Sequence, residues 1–235
     1  TGVQTCALPI CPLLPLVLSL NAGYVDTAGF LALQGLFTAH VTGNFVTLGA
    51  SLVLGTSGAV AKLLALPVFC LVVILARLLS SALLRRRLPA LKVVLGVKFA
   101  LLLIGAVLAI HFGPFTNGDA GPAVFTGMVL VAAMAIQNAA HRIHLGSAPP
   151  STLMTGTTTQ VMIDLADMLQ GPKPDAGAPE SRLARMSINI VAFAVGCAGA
   201  ALLYAKFSVW CFIVPPLLAS VSLFLRAGAA DVGKS

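Results

Sequence analysis

The sequence predicts an all-α integral membrane protein, and three observations support this prediction. Of its 235 residues, 58% are hydrophobic and 9% are charged, whereas soluble domains carry about 25% charged residues. The mean hydropathy is +1.00. The apolar residues form long runs, and about 20 consecutive apolar residues suffice for a helix to cross a bilayer. These properties exclude an ordinary soluble domain.

Six apolar stretches are long enough, or nearly so, to cross a membrane as helices. Two more, 41–54 and 154–169, are shorter. At about 1.5 Å per residue they reach about 20–24 Å, which is less than the ~30 Å hydrocarbon core. Each contains a Thr-Gly pair near its start. We predict six transmembrane helices and, at the short stretches, two re-entrant half-helices. The six long stretches are 12–37, 59–84, 91–112, 122–140, 185–204 and 209–225.

The positions of Lys and Arg favour this topology. With six crossings and a cytoplasmic N-terminus, ten of the fourteen basic residues lie on the cytoplasmic side, and Lys62 and Lys206 lie outside. If both short stretches crossed, the basic groups at 85–87 and 173–185 would lie on opposite sides, against the positive-inside rule. Both termini are therefore predicted to be cytoplasmic. Arg77 and Lys98 lie about 10–12 Å from the inner ends of their helices, and we expect them to snorkel to the interface.

The predicted elements form an inverted repeat. The order crossing, short segment, crossing, crossing occurs over about 12–112 and again over about 122–226. Three crossings separate the starts of the two copies, and an odd number inverts the second copy in the membrane. This architecture is common among secondary transporters.

We expect one membrane domain, residues 11–235. Residues 1–10 lack an initiator Met and look like the translation of a sequencing-adapter oligonucleotide. We expect this segment to be non-native and exclude it from the fold prediction.

The two half-helices predict a binding site at the bilayer centre. About five extended residues descend ~16 Å, which brings the start of each half-helix to the midplane. A helix N-terminus carries about half a positive charge and unpaired N–H groups, so two facing N-termini favour an anion. The alternative is that the Thr and Gly residues only cap the half-helices. The predicted substrate-binding residues are Thr42, Gly43, Asn44, Thr155, Gly156 and Thr157.

Asp26 lies near the middle of the first span, where a carboxylate costs about 2.5–3.5 kcal/mol. We predict that it is an ion-coupling site that loads and releases a proton. The alternative is a fixed hydrogen bond to a neighbouring helix, for example to its second-half counterpart Asn138. Asn21, Gln137 and Asn138 are predicted to line the pathway, although Gln137 and Asn138 could equally hold helices together. His40 is a weaker candidate.

Several of these segments carry a resemblance to a known family. Asn21-Ala22-Gly23-Tyr24-Val25-Asp26, Thr42-Gly43-Asn44, Gln137-Asn138-Ala139 and Met154-Thr155-Gly156-Thr157 resemble the YoaK family, bacterial six-span inner-membrane proteins classed as a domain of unknown function. The resemblance covers nearly everything after Cys11. It implies an inner-membrane location and no substrate. The extended stretch with a half-helix is also similar in form to sulfate and nucleobase permeases, but form alone assigns no substrate.

We therefore expect a small secondary transporter or channel that binds a small anion and is coupled through Asp26. A non-transporting membrane subunit or sensor is the alternative. An intramembrane enzyme is less favoured, because the sequence shows neither a nucleophile-and-base motif nor clustered metal ligands. We expect no cofactor, no metal and no nucleic acid partner, since the basic residues lie at the ends of apolar runs. The expected partners are the lipid bilayer and a small molecule or ion, and a homodimer is compatible with the sequence.

Overall fold

The fold consists of helices joined by short irregular segments. The computed structural model describes residues 13–146, 148–170 and 179–231, and within them it contains α-helices and 3-10 turns but no strand. The predicted all-helical class is confirmed, whereas the segment 1–10 lies outside the described residues. The helices are α1 (Leu13–Ala32), α2 (Asn44–Leu54), α3 (Ala59–Arg85), α4 (Ala90–Phe112), α5 (Gly121–His144), α6 (Met154–Leu169), α7 (Pro179–Phe207) and α8 (Val214–Asp231).

In the part of the chain that the structure describes, five helical segments are long and apolar enough to cross a membrane. Four of them correspond to α1, α3, α4 and α5. The fifth, Arg182–Leu225, has 44 residues, which at about 1.5 Å per residue is roughly twice the thickness of the hydrocarbon core. A 3-10 turn, Ser208–Ile213, divides this segment into α7 and α8, close to the boundary predicted between the last two spans.

The order of elements occurs twice in the chain. In each half a long helix is followed by an irregular segment, a short helix and two more helices. The first helix of each half packs against the third and fourth helices of the other half: α1 contacts α7 and α8, and α5 contacts α3 and α4. These first helices are also the most buried, at 67% for α1 and 72% for α5 against 22% for α3. The core therefore lies around α1 and α5.

Each short helix packs on the helix that follows it, α2 on α3 and α6 on α7. A left-handed glycine, Gly55, with φ of +66°, ends α2. In the second half the contact includes an ion pair, in which Arg182 Nε donates to Asp164 Oδ2 at 2.9 Å. Both short helices are therefore attached along one side to their own half.

The segments before and after α2 are both bound by the connection between α4 and α5. Gln34, which follows α1, donates from Nε2 to the carbonyl oxygen of Phe115 in the α4–α5 connection at 3.0 Å. Asp119, in the same connection, accepts from the backbone N–H groups of Gly58 and Val60 ahead of and within α3, each at 2.8 Å. The connection 113–120 therefore binds the chain on both sides of α2.

Glycines let the backbones of α1 and α7 approach each other closely. A Cβ atom added at Gly23 would overlap the carbonyl oxygen of Phe193, and one at Gly196 would overlap the carbonyl oxygen of Leu20. Small residues at such crossings are the usual means of close helix packing within membranes. This crossing fixes the position of α7 against residues 20–24 of α1.

We expect Gly196→Ala to destabilise the protein by about 1–3 kcal/mol, because the new methyl group would displace the α1 backbone rather than a flexible side chain. Differential scanning fluorimetry in detergent measures the effect. Gly96→Ala in α4 is the control, since nothing lies within 4 Å of its added Cβ, and helix propensity there favours Ala by about 1 kcal/mol. Equal melting temperatures for the two variants would contradict the close α1–α7 crossing.

Candidate functional site

Asp26 binds the irregular segment that leads into α2. Its Oδ1 accepts from the backbone N–H groups of Thr38 and Ala39, both at 2.7 Å, and more weakly from the N–H group of His40 at 3.4 Å. The hydroxyl of Thr38 adds a donor at 3.3 Å. The side chain of Asp26 is only 6% exposed. One carboxylate oxygen therefore satisfies several backbone groups that no helix or strand would satisfy.

The second oxygen of Asp26 pairs with His40. Nδ1 of His40 lies 2.7 Å from Oδ2 of Asp26. With an ionised carboxylate as partner, Nδ1 carries the hydrogen and donates it, a tautomer assigned from this contact. The other ring nitrogen, Nε2, is then an acceptor in the neutral imidazole. The side chain of His40 is 36% exposed, so the pair presents an imidazole to its surroundings with a carboxylate behind it.

A cavity of about 550 Å³ adjoins this pair, a volume in the usual range of small-molecule sites. Three phenylalanine rings form much of its wall, and the start of α2 contributes Thr42 and Gly43. The cavity lies between α1, the segment leading into α2, and α7. Its lining residues are Asp26, Thr27, Phe30, Phe37, His40, Thr42, Gly43, Phe193 and Cys197.

Asn44, predicted to bind substrate, holds the backbone instead. Its Oδ1 accepts from the N–H group of Phe37 at 2.9 Å, and its Nδ2 donates to the carbonyl oxygen of Phe37 at 2.8 Å. The oxygen and the nitrogen of the amide therefore both bind one residue of the irregular segment. Of the first predicted triplet, Thr42 and Gly43 face the cavity, whereas Asn44 shapes it.

The second predicted triplet lies elsewhere. Thr155 lines a separate, open depression along α6, and Gly156 is exposed with open space around it. The hydroxyl of Thr157 donates to the carbonyl oxygen of Leu153 at 2.9 Å. Within the described ranges, the cavity beside Asp26 contains none of these three residues. The structure therefore does not join the two triplets around one cavity.

Among known protein families, the one described as protein of unknown function (DUF1275) matches residues 14–225 of the chain. The chain belongs to this family. The YoaK family is part of DUF1275, so the predicted resemblance is confirmed. No curated protein and no solved structure matches the chain.

In the second half of this DUF1275 protein, two neutral amides take the place of Asp26. Asn138 Oδ1 accepts from the hydroxyl of Thr152 at 2.7 Å, and Gln137 Nε2 donates to Ser151 Oγ at 3.0 Å. Asn138 thus binds its own irregular segment, as Asp26 does in the first half. Both Gln137 and Asn138 hold elements together, which is one of the two roles considered for them.

Asn21 and Gln137 are fully buried in the core, at 0% exposure each. Asn21 Nδ2 donates to the carbonyl oxygen of Pro215 in α8 at 3.3 Å, and Gln137 Nε2 also donates to the carbonyl oxygen of Leu18 in α1 at 2.9 Å. Their amide oxygens have no hydrogen-bond partner within the described part of the chain. These amides therefore connect helices around α1 and leave two acceptors unused.

Lys98 was expected to snorkel to the membrane interface, and this expectation is wrong. Its side chain is 0% exposed, and its Nζ has no hydrogen-bond partner among residues 13–146, 148–170 and 182–225. A Cβ atom at Gly105 would lie 2.7 Å from Leu130 Cδ2, and α4 and α5 are consecutive helices joined by a short connection. Lys98 lies seven residues before Gly105, and Gln137 lies seven residues after Leu130, which is about two turns in each of these antiparallel helices. Lys98 and Gln137 are therefore at the same level. Sequence position alone could not distinguish a lipid-facing lysine from this one.

We expect Lys98→Met to raise the free energy of unfolding by about 1–3 kcal/mol, because it removes a buried amine that lacks a partner while keeping a side chain of similar length. Thermal unfolding in detergent measures the change. Arg77→Met, at an exposed position of α3, is the control and should shift the melting temperature little. A lower melting temperature for Lys98→Met would show that the amine has a stabilising partner in the folded protein.

Proposed function

We propose that this DUF1275 protein is a small secondary transporter of the bacterial inner membrane, with the coupling proton carried by the Asp26–His40 pair. The observation that supports this function is the position of that pair: a carboxylate and an imidazole 2.7 Å apart, beside a cavity at the start of a short helix. Ionisable residues within membrane proteins are costly and usually mark ion or substrate pathways. Broken helices at such sites are typical of secondary transporters.

The proposed topology has six crossings, with α2 and α6 as re-entrant half-helices and both termini in the cytoplasm. The contacts of the α4–α5 connection with both flanks of α2 support re-entry, since Gln34 and Gly58 then lie at the same side of the membrane. Two crossings, α3 and α4, return the chain to this side, where the connection lies. The break between α7 and α8 supports two crossings in the last apolar segment.

The proposed inverted repeat relates α1–α4 to α5–α8. Its support is that the contact pattern is unchanged when the halves are exchanged: each first helix packs on the third and fourth helices of the other half. The hydrogen bond that Asp26 accepts from the segment before α2 also corresponds to the one that Asn138 accepts from the segment before α6. A pseudo-two-fold relation produces such paired contacts, and inverted repeats place it in the membrane plane.

In the proposed mechanism His40 exchanges the proton and Asp26 positions it. Oδ1 of Asp26 is occupied by N–H donors, and Oδ2 by Nδ1 of His40. The ring nitrogen that remains is Nε2, and protonating it changes the charge of the pair by one unit beside the cavity. The cavity is also the feature that favours transport over a non-transporting subunit or sensor, for which we find no specific support.

We expect Asp26→Asn to abolish proton-coupled flux, because the amide leaves His40 without its anionic partner while keeping one acceptor oxygen for the segment 38–40. Proteoliposomes containing a pH-sensitive dye, screened with anions, amino acids, sugars and amines, measure flux with and without a proton gradient. Asp167→Asn makes the same charge change in α6, at a position outside the residues described as lining the cavity, and should retain flux. Normal coupled flux in Asp26→Asn would remove this residue from the mechanism.

We expect Gln34→Cys and Thr56→Cys, each in a cysteine-free background, to react with a membrane-impermeant maleimide added to intact cells. Both positions are exposed and flank α2, and re-entry places them on the periplasmic side. Inverted membrane vesicles provide the control for the opposite face. Reaction of one residue from each face would show that α2 crosses the membrane, and the six-crossing topology would be wrong.

A further inference from the structure

We infer that the cavity beside Asp26 and His40 binds small organic amines that carry an aromatic or apolar body, in exchange for a proton. This inference rests on the transporter function proposed above and names the class of solute. It replaces the small anion that the half-helix termini alone favoured. Three features of the cavity support it: the occupied N–H groups, the imidazole nitrogen that is not used on Asp26, and the aromatic wall.

An anion is disfavoured here because the nearby N–H donors are already bonded to Asp26. The N–H groups of Thr38 and Ala39, which precede α2, donate to Asp26 at 2.7 Å each. The amide of Asn44 is used on Phe37. An incoming anion would find these donors engaged and would lie close to the Asp26 carboxylate, whose charge repels it. The protein's own carboxylate therefore occupies the N–H groups of the segment that leads into α2.

A cationic nitrogen finds an acceptor in the same place. With Nδ1 of His40 donating to Asp26, Nε2 of the neutral ring can accept an N–H hydrogen, and an ammonium group supplies three. Asp26 adds negative charge from behind. The titratable groups facing His40 are Asp26 from α1 and Cys197 from α7, and no Lys or Arg is among the residues described as lining the cavity. The local charge therefore favours a cation.

The walls suit an aromatic or apolar body. The rings of Phe30 and Phe37 lie 4.9 Å apart between centroids, and Phe193 lies 5.5 Å from His40, edge to face. Phenylalanine faces attract cations and pack against apolar groups. A volume of about 550 Å³ accommodates an aromatic ring with a short amine arm.

Proton and amine compete for His40. A proton on Nε2 occupies its lone pair and makes the ring cationic, so an ammonium group is both deprived of its acceptor and repelled. Where His40 is protonated, binding of the amine therefore requires the proton to leave Nε2 for the solution, one proton for each cation bound. This competition is the basis of proton–amine exchange across the membrane.

The test uses tritiated tryptamine as the probe, with the full-length protein in lipid nanodiscs and a scintillation proximity readout. Unlabelled tryptamine, indole-3-acetate and 3-ethylindole serve as competitors, because they share the indole ring and carry a positive, a negative and no charge. We expect displacement by tryptamine alone at comparable concentrations. We also expect affinity to fall by at least about tenfold from pH 8 to pH 5.5 as His40 gains its proton, since the amine stays charged over that range.

Asp26→Asn and Phe193→Ala should each weaken tryptamine binding about tenfold, through loss of the charge and of the aromatic wall respectively. Asp167→Asn and Phe112→Ala are matched controls outside the residues described as lining the cavity and should bind as the native protein does. Melting temperatures of all variants separate lost binding from lost folding. Should Asp26→Asn fail to fold, Phe193→Ala and the pH dependence of the native protein still decide the outcome.

Three results would overturn the amine site: tighter binding of indole-3-acetate, equal binding of 3-ethylindole, or no tryptamine binding by folded protein. The proposed transport function fails in a different way. Tryptamine binding without proton release or flux in proteoliposomes would keep the amine site and refute transport. Conversely, Asp26-dependent coupled flux of another solute, with no tryptamine binding, would refute only the solute class.

Discussion

Irregular backbone inside a bilayer must have its hydrogen-bonding groups satisfied by the protein, because lipid offers none. In the proposed topology the segment between α1 and α2 lies within the bilayer. It meets this requirement through Asp26, which accepts from the N–H groups of Thr38 and Ala39, and through Asn44, which brackets Phe37. The position of α2, the cavity wall and the orientation of His40 all depend on these bonds. Asp26 is therefore both the anchor of the segment and the source of charge at the cavity.

The two halves hold their irregular segments with different chemical groups. The second half holds its irregular segment with Gln137 and Asn138, which bind Ser151 and Thr152. Neutral amides satisfy backbone and hydroxyl groups without the cost of a buried charge. The first half accepts that cost at Asp26. The difference lies in the groups that hold the two irregular segments, a carboxylate before α2 and amides before α6.

The core between α1, α4 and α5 is unusually polar for a membrane interior. Lys98 is buried level with Gln137, and the amide oxygens of Gln137 and Asn21 lack partners within the described residues. Unsatisfied polar groups of this kind are rare in folded proteins and costly in a medium of low dielectric constant. They set this region apart from the apolar contacts that surround it. Asn21 lies on α1, the helix that carries Asp26, and Gln137 is bonded to the same helix.

The sequence by itself determined the helical class, the approximate bounds of the long helices and the place of the two short ones, because bilayer thickness and positive charge act on the linear order of residues. It also identified Asp26 from its depth. Only the tertiary structure decided that His40 pairs with Asp26, that Asn44 holds backbone and that Lys98 is buried. These facts depend on the dihedral angles of an irregular segment and on the faces that helices present to one another, and neither is encoded in hydropathy or spacing.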